Sequence, residues 1–158
     1  MHYVFLDKLQ LPIAPGAINF NYSGKNKVVE LINGEDITVI KKQGLTEISF
    51  TFMIPHAKYP FANYDTLGFV GLNAMLEYVA DLKKRDKPFQ FIVARMRGVR
   101  ALQLTNIKVT LESYSIEESA ANGLDQMCSV TLRQYVPYST KVLTVDKNGK
   151  TVATKTRG

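Results

Sequence analysis

The stretch from Lys27 to Phe52, KVVELINGEDITVIKKQGLTEISFTF, leaves the backbone few choices. Val28, Val29, Leu31 and Ile32 run into Asn33-Gly34, and Ile37, Val39 and Ile40 follow. Two β-branched runs on either side of Asn-Gly predict a hairpin with a two-residue loop, because both central residues of a type I′ turn need positive φ. A second break falls at Gly44. Beyond it EISFTF alternates with period two, placing Ile48, Phe50 and Phe52 on one face and Glu47, Ser49 and Thr51 on the other. That is the pattern of a half-buried antiparallel strand.

A chain of 158 residues, 46% of them hydrophobic, is long enough to bury one core, and its length argues for a single domain. The formal net charge of +6 is spread along the chain, and only Lys83-Lys84-Arg85 with Lys87 forms a local cluster. Such an excess permits an acidic partner but says nothing about fold. Cys128 stands alone, which rules out an intramolecular disulfide. Its setting, Gln126-Met127-Cys128-Ser129-Val130, reads as strand and so as a buried thiol. The first residues, MHYVFLDK, lack a basic leader region, and Asp7 and Lys8 cut the apolar run short of a signal peptide. No stretch reaches the apolar length of a membrane span, so neither secretion nor insertion is expected.

Tyr3–Leu6 and Leu9–Ile13 are expected to be short extended pieces, the second held at an edge by Pro12 and Pro15. Ile18–Tyr22 alternates, with Ile18, Phe20 and Tyr22 expected to face inward. Residues 53–62 contain Pro55 and Pro60 and are expected to form a surface excursion packed by their aromatics. One helix is predicted, over 71–85. There Leu72, Met75, Leu76, Val79 and Leu82 fall on one stripe, and the basic last turn suits the negative end of the helix dipole. Phe89–Arg95 is mostly apolar and is expected to be a strand buried on both faces. Leu102–Tyr114 alternates with a change of phase at Thr105-Asn106, expected to be a bulge or bend. Residues 120–123 turn the chain, and Met127–Tyr135 completes a second long hairpin. Residues 141–145 and 150–154 flank Asp146–Gly149 as a small third hairpin.

Reactive chemistry is sparse. His2 and His56 are the only histidines and, with a single cysteine, do not make a zinc set. The sequence has no phosphate-binding glycine loop and no serine nucleophile elbow. Glu35-Asp36 and Glu117-Glu118 sit beside predicted turns, and neighbours on a strand point to opposite faces, so they do not converge on a bond. The expectation is a protein that is not an enzyme and takes no cofactor and no metal.

The order of LPIAP, KVVELINGEDITVIKKQGLTEISFTFMIP, KYPFA, KPFQFIVAR, TNIKVTLESYSIEE, NGLD and LRQYVPYSTKVL resembles the N-terminal domain of LysM-bearing baseplate proteins. Those belong to contractile phage tails, tail-like bacteriocins and defective prophages of Gram-positive bacteria. The resemblance covers Leu9 to about Leu143. It implies a tail-tube-like fold, mainly β (α+β), with two antiparallel sheets in a barrel or sandwich and one flanking helix. It also implies a tube-initiator or baseplate-hub protein that forms a homo-oligomer, a hexameric ring, between the tail tube and the hub and wedge proteins, assembled in the bacterial cytoplasm. Residues 1–145 would be the tail-tube-like domain and 146–158 an extension or linker. Nothing after Val145 matches the YxVxxGDTL-like LysM signature, so peptidoglycan binding is not carried over.

A ring protomer must leave strand edges free for its neighbours. On that reading the polar turns carrying Glu35, Asp36, Lys41, Lys42, Gln43, Asn122 and Asp125 are candidate inter-subunit contacts. Two other classes stay open on the residues alone. One is a single-stranded nucleic-acid-binding barrel using the positive charge with Tyr59, Phe61 and Tyr64. The other is a carbohydrate-binding sandwich using the same aromatics. Salt dependence of binding separates them. The tail reading expects no membrane and no specific nucleic acid as partner.

Overall fold

In a computed structural model, which describes residues 1–64, 68–145 and 151–157, the described residues form eleven strands and one α-helix. In chain order these are β1 (His2–Leu6), β2 (Leu9–Gln10), β3 (Ile18–Asn21), β4 (Lys27–Glu30), β5 (Asp36–Val39), β6 (Glu47–Ile54), α1 (Leu72–Lys84), β7 (Phe89–Arg97), β8 (Arg100–Glu118), β9 (Gln126–Gln134), β10 (Ser139–Val145) and β11 (Thr151–Arg157). Seven strands make one antiparallel sheet in the order β2-β1-β7-β8-β9-β6-β3. The pairs β4-β5 and β10-β11 are separate two-stranded ribbons. The third hairpin expected near the C-terminus is therefore present as β10-β11. Its turn, residues 146–150, lies outside the described residues, whereas residues 151–157 of the expected 146–158 extension are strand β11.

Alternation in the sequence becomes burial on one face. Ile48, Phe50, Phe52 and Ile54 of β6 are buried, as are Phe89, Phe91 and Val93 of β7 and Cys128, Val130 and Leu132 of β9. In a flat sheet β6 and β7 would lie three strand spacings apart, about 14 Å. The rings of Phe50 and Phe91 nevertheless stack with centroids 5.4 Å apart. The sheet must therefore curl, and the core fills its concave side. Mainly β structure and a single helix agree with the sequence. Of the expected barrel or sandwich no closed barrel is seen, because β2 and β3 end the sheet without pairing to each other.

Helix α1 closes part of the curl with Met75, Val79 and Leu82, while Leu72 and Leu76 pack at the margin of the core. Gly71 and Arg85 cap it, matching the expected limits. Its basic end is spent on the fold. Lys83 Nζ donates to the carbonyls of Leu111 and Glu112 at 3.1 and 2.8 Å, and Arg85 pairs with Asp81 and reaches Asp7.

Four local expectations are corrected. Phe89–Arg95, expected to be buried on both faces, is buried on one, with Phe89, Phe91 and Val93 inside and Gln90 and Arg95 exposed. Register shifts occur at Arg95/Met96 and Leu111/Ser113, and not at Thr105-Asn106. The change of phase in the sequence instead marks apolar residues changing sides, since Leu102 and Leu104 are exposed while Val109 and Leu111 are buried. Tyr22, expected inside, is exposed because it lies past the end of β3. The Asn33-Gly34 hairpin has one loop residue more than a two-residue type I′ turn. Leu31 N–H donates to Glu35 O and Gly34 N–H to Leu31 O, and in this loop only Gly34 takes positive φ, 82°. That is the three-residue loop with glycine in the left-handed position.

Candidate functional site

The sheet offers two free margins of different quality. β2 is two residues long and is followed by Pro12 and Pro15, which blunt it as a pairing edge. β3 pairs only with β6, through Ile18↔Phe50 to Asn21↔Glu47, so its outer edge is open. Beside β3, where the curl fails to close, lies a cavity of about 610 Å³ lined by residues that include Ile18, Phe20, Val93, Arg95 and His2.

From β3 and β6 the chain continues as an arm. β4 and β5 pair from Lys27↔Val39 to Glu30↔Asp36, and a bridge between Gly24 and Gln43 links this ribbon to the sheet. At that link the strands approach closely. A Cβ added to Gly44 would meet Ser23 Oγ at 2.6 Å and its carbonyl oxygen at 3.1 Å. The arm buries almost nothing in this chain: Val28, Ile32, Ile37, Val39 and Ile40 are all exposed, Ile40 at 84%. The block that most constrains the fold thus splits, its end entering the core and its middle standing outside it. The register puts Val29, Ile37 and Val39 on one face of the ribbon and Val28 on the other, so apolar side chains stand uncovered on both.

The sequence-derived candidates fall on two separate elements. Glu35 and Asp36 are at the tip of the arm, where Glu35 exchanges hydrogen bonds with Asn33. Lys41, Lys42 and Gln43 are exposed on its returning side, and Lys41 N–H donates to Asn26 Oδ1. Asn122 and Asp125 belong to the β8–β9 turn, and there the structure uses Asp125 internally. The residue is 9% exposed. One oxygen accepts the His56 backbone N–H at 2.9 Å and lies 2.7 Å from His56 Nδ1; the other accepts the Tyr59 hydroxyl at 2.8 Å. Burial works to raise the carboxyl pKa, but these hydrogen bonds outweigh it and hold the group below its usual value. The Tyr59 hydroxyl is correspondingly raised, first by the same hydrogen bond, and stays a donor. This clasp ties the 55–64 excursion to the β8–β9 turn. Sequence reading did not assemble it, because its partners lie 66 and 69 positions apart.

The aromatics of the excursion are partly committed to it as well. Tyr59 stacks on Phe61, and the Tyr64 hydroxyl accepts the Tyr59 backbone N–H. Cys128 lies in the core, and burial pushes its thiol up to about 11. We therefore expect native protein at pH 8 to resist a thiol reagent that labels it fully in urea; rapid labelling of the native fold would contradict this placement. Among the described residues no group of three or more His, Cys, Asp or Glu could hold a metal, and no helix is long and apolar enough to cross a membrane.

A curled antiparallel sheet with one flanking helix and projecting ribbons belongs to a fold class represented in contractile injection systems. The chain shares its fold with the PVC sheath/tube terminator in its extended state, at a TM-score of 0.55 and 10% identity, covering 85% of this chain and 89% of that one. It likewise shares its fold with a chain of the PVC sheath-tube complex in its extended state, at a TM-score of 0.55 and 10% identity over 85% and 84% of the two chains. The tube terminating cap of the anti-feeding prophage gives a TM-score of 0.52 and 12% identity over 84% and 83%. In sequence, the uncharacterized protein YqbP of Bacillus subtilis (strain 168) is 27% identical over 144 residues, 91% of this chain. This chain spans 62% of that relative's length. No protein-family model matches.

Proposed function

We propose that this chain is a structural protein of a contractile phage tail or tail-like particle, a ring-forming component at the tube's hub end that joins baseplate to tail tube. It works by contact and not by catalysis. The observation that carries this reading is the arm, an apolar β-ribbon that the chain's own core leaves uncovered, set beside an open β3 edge. The fold shared with tube-end and sheath-tube structures supports it. Edge-to-edge pairing around a ring would cover β3, since closure removes exposed edges. In this reading the hexameric state and the position at the hub follow from the resemblance to LysM-type baseplate proteins.

Co-expression with the tail-tube protein of the same particle tests it. Electron microscopy should show this chain as a ring seated at one tube end. Tubes that form with both ends bare of it, in the presence of excess soluble protein, would overturn the assignment. Reversing Lys41 and Lys42 to Glu should abolish ring formation and tube seating while circular dichroism and the melting temperature stay unchanged, because both side chains are exposed. Normal seating by the double variant would remove the arm's returning side from the contact.

A further inference from the structure

Strand β8 is oppositely charged at its two ends. From Pro88 to Leu111 the chain carries Arg95, Arg97, Arg100 and Lys108 and no carboxylate; from Glu112 to Asp125 it carries Glu112, Glu117, Glu118 and Asp125 and no cation. These groups do not reach one another within the chain, since Arg100 opens β8 and Glu117 and Glu118 close it, with roughly 55 Å of extended strand between.

The basic end is uncompensated. Arg97 and Arg100 are register partners across the β7–β8 turn, and like charges directly opposite each other destabilise a hairpin. Ion pairs among the described residues use Arg85 and Arg133 and leave Arg95, Arg97 and Arg100 without one. The acidic end is built the other way round. Glu112 is paired with Arg133 and Asp125 is held in its clasp, but Glu117 is exposed and Glu118 accepts only the Gln126 amide. The Gln126 Oε1 atom is buried with no donor. Glu118, Ser119, Asp125 and Gln126 are among the residues that line a recess of about 310 Å³, where the Glu118 carboxylate keeps acceptor capacity beyond the Gln126 amide, with Leu124 72% exposed at its rim. A guanidinium supplies the matching donors. The tip of the basic turn also carries an exposed apolar residue, Val99.

We propose that the two ends of β8 are the halves of one heterologous contact, in which the Arg97–Arg100 turn of one copy seats in the Glu118–Gln126 recess of a second copy. The inference rests on the structural-protein reading above and adds the partner and the direction: copies stack head to tail along β8. A nucleic acid would satisfy the arginines but leave the acidic recess without its donor. A second copy satisfies both.

Sedimentation velocity of the full chain across ionic strength tests this. Wild type should form head-to-tail oligomers at low salt that revert to the basal species as salt rises, because exposed charges are screened beyond about 10 Å at 0.1 M. R97E/R100E and E117K/E118K should each weaken self-association at least about tenfold with unchanged urea midpoints. Mixing the two variants sets opposite charges against each other at both contacts, the Arg turn against the Glu recess and the Glu turn against the Lys recess, so association should return in the mixture although neither variant associates alone. Absence of salt-dependent association in wild type, or its persistence in R97E/R100E, would overturn the proposal. So would binding of a single-stranded oligonucleotide that R97E/R100E abolishes in a chain that never self-associates. Protein that seats on tube ends yet does not stack would keep the structural reading and lose this one.

Discussion

Replacing Phe91 by alanine is expected to remove about 3–5 kcal/mol of folding stability, the range for truncating a buried aromatic. Phe91 is fully buried, and its ring is the one stacked on Phe50 across the curl of the sheet. Its loss combines a cavity with the removal of a contact that brings two distant strands together, so relaxation cannot easily close the gap. A domain of this size has a total stability of only about 5–15 kcal/mol. The variant should therefore show a much lower urea midpoint with a similar slope, and binding of a hydrophobic dye if the curl opens. Phe91→Leu keeps much of the apolar volume and should recover more than half of the loss. Ile40→Ser, on the arm, is the control. It should shift stability by no more than about 0.5 kcal/mol while impairing ring formation, since Ile40 contributes surface and not core. Equal destabilisation by Phe91→Ala and Ile40→Ser would mean that the arm belongs to the core after all.

That contrast also marks where the sequence was legible. Period-two alternation at 47–52 marked that strand and its inner face, because one side packs on apolar neighbours and the other on water, and 127–135 was legible as its own strand. The helix was equally readable, from Leu72 to Leu82 and its basic end. Val28, Ile37 and Val39 follow the same local rule, yet they lie outside. Hydrophobicity says that a residue seeks cover and not whether its own chain supplies it. For the same reason the sheet's failure to close was invisible, since closure depends on whether β2 and β3 meet and neither strand encodes that locally. The extra loop residue at Ile32-Asn33-Gly34 was within reach only of the turn's own geometry, as Asn-Gly serves two-residue and three-residue loops alike. The charge polarity of β8 is a different case. It can be read directly from the residues once Arg100–Glu118 is known to be one strand, and without that span it looks like scattered charge.

Replacing Asp125 by alanine is expected to cost about 2–3 kcal/mol at neutral pH, the scale of hydrogen bonds made to a charged group. The substitution leaves the His56 backbone N–H without its acceptor and releases the 55–64 excursion from the β8–β9 turn. The sign of the pH dependence follows from the direction of the shift. A carboxyl whose folded pKa is depressed adds stability above its unfolded value, about 3.9, and loses it as pH falls through the lower folded value. Wild type and Asp125→Asn should therefore differ most at neutral pH and converge in acid, as read from urea midpoints at pH 7 and pH 3. Because the clasp also fixes one wall of the Glu118–Gln126 recess, the Asn variant should stack head to tail more weakly than wild type at a pH where both remain folded. A gap in stability between wild type and variant that stays constant from pH 7 to pH 3 would show that the carboxylate charge is not what holds the excursion in place.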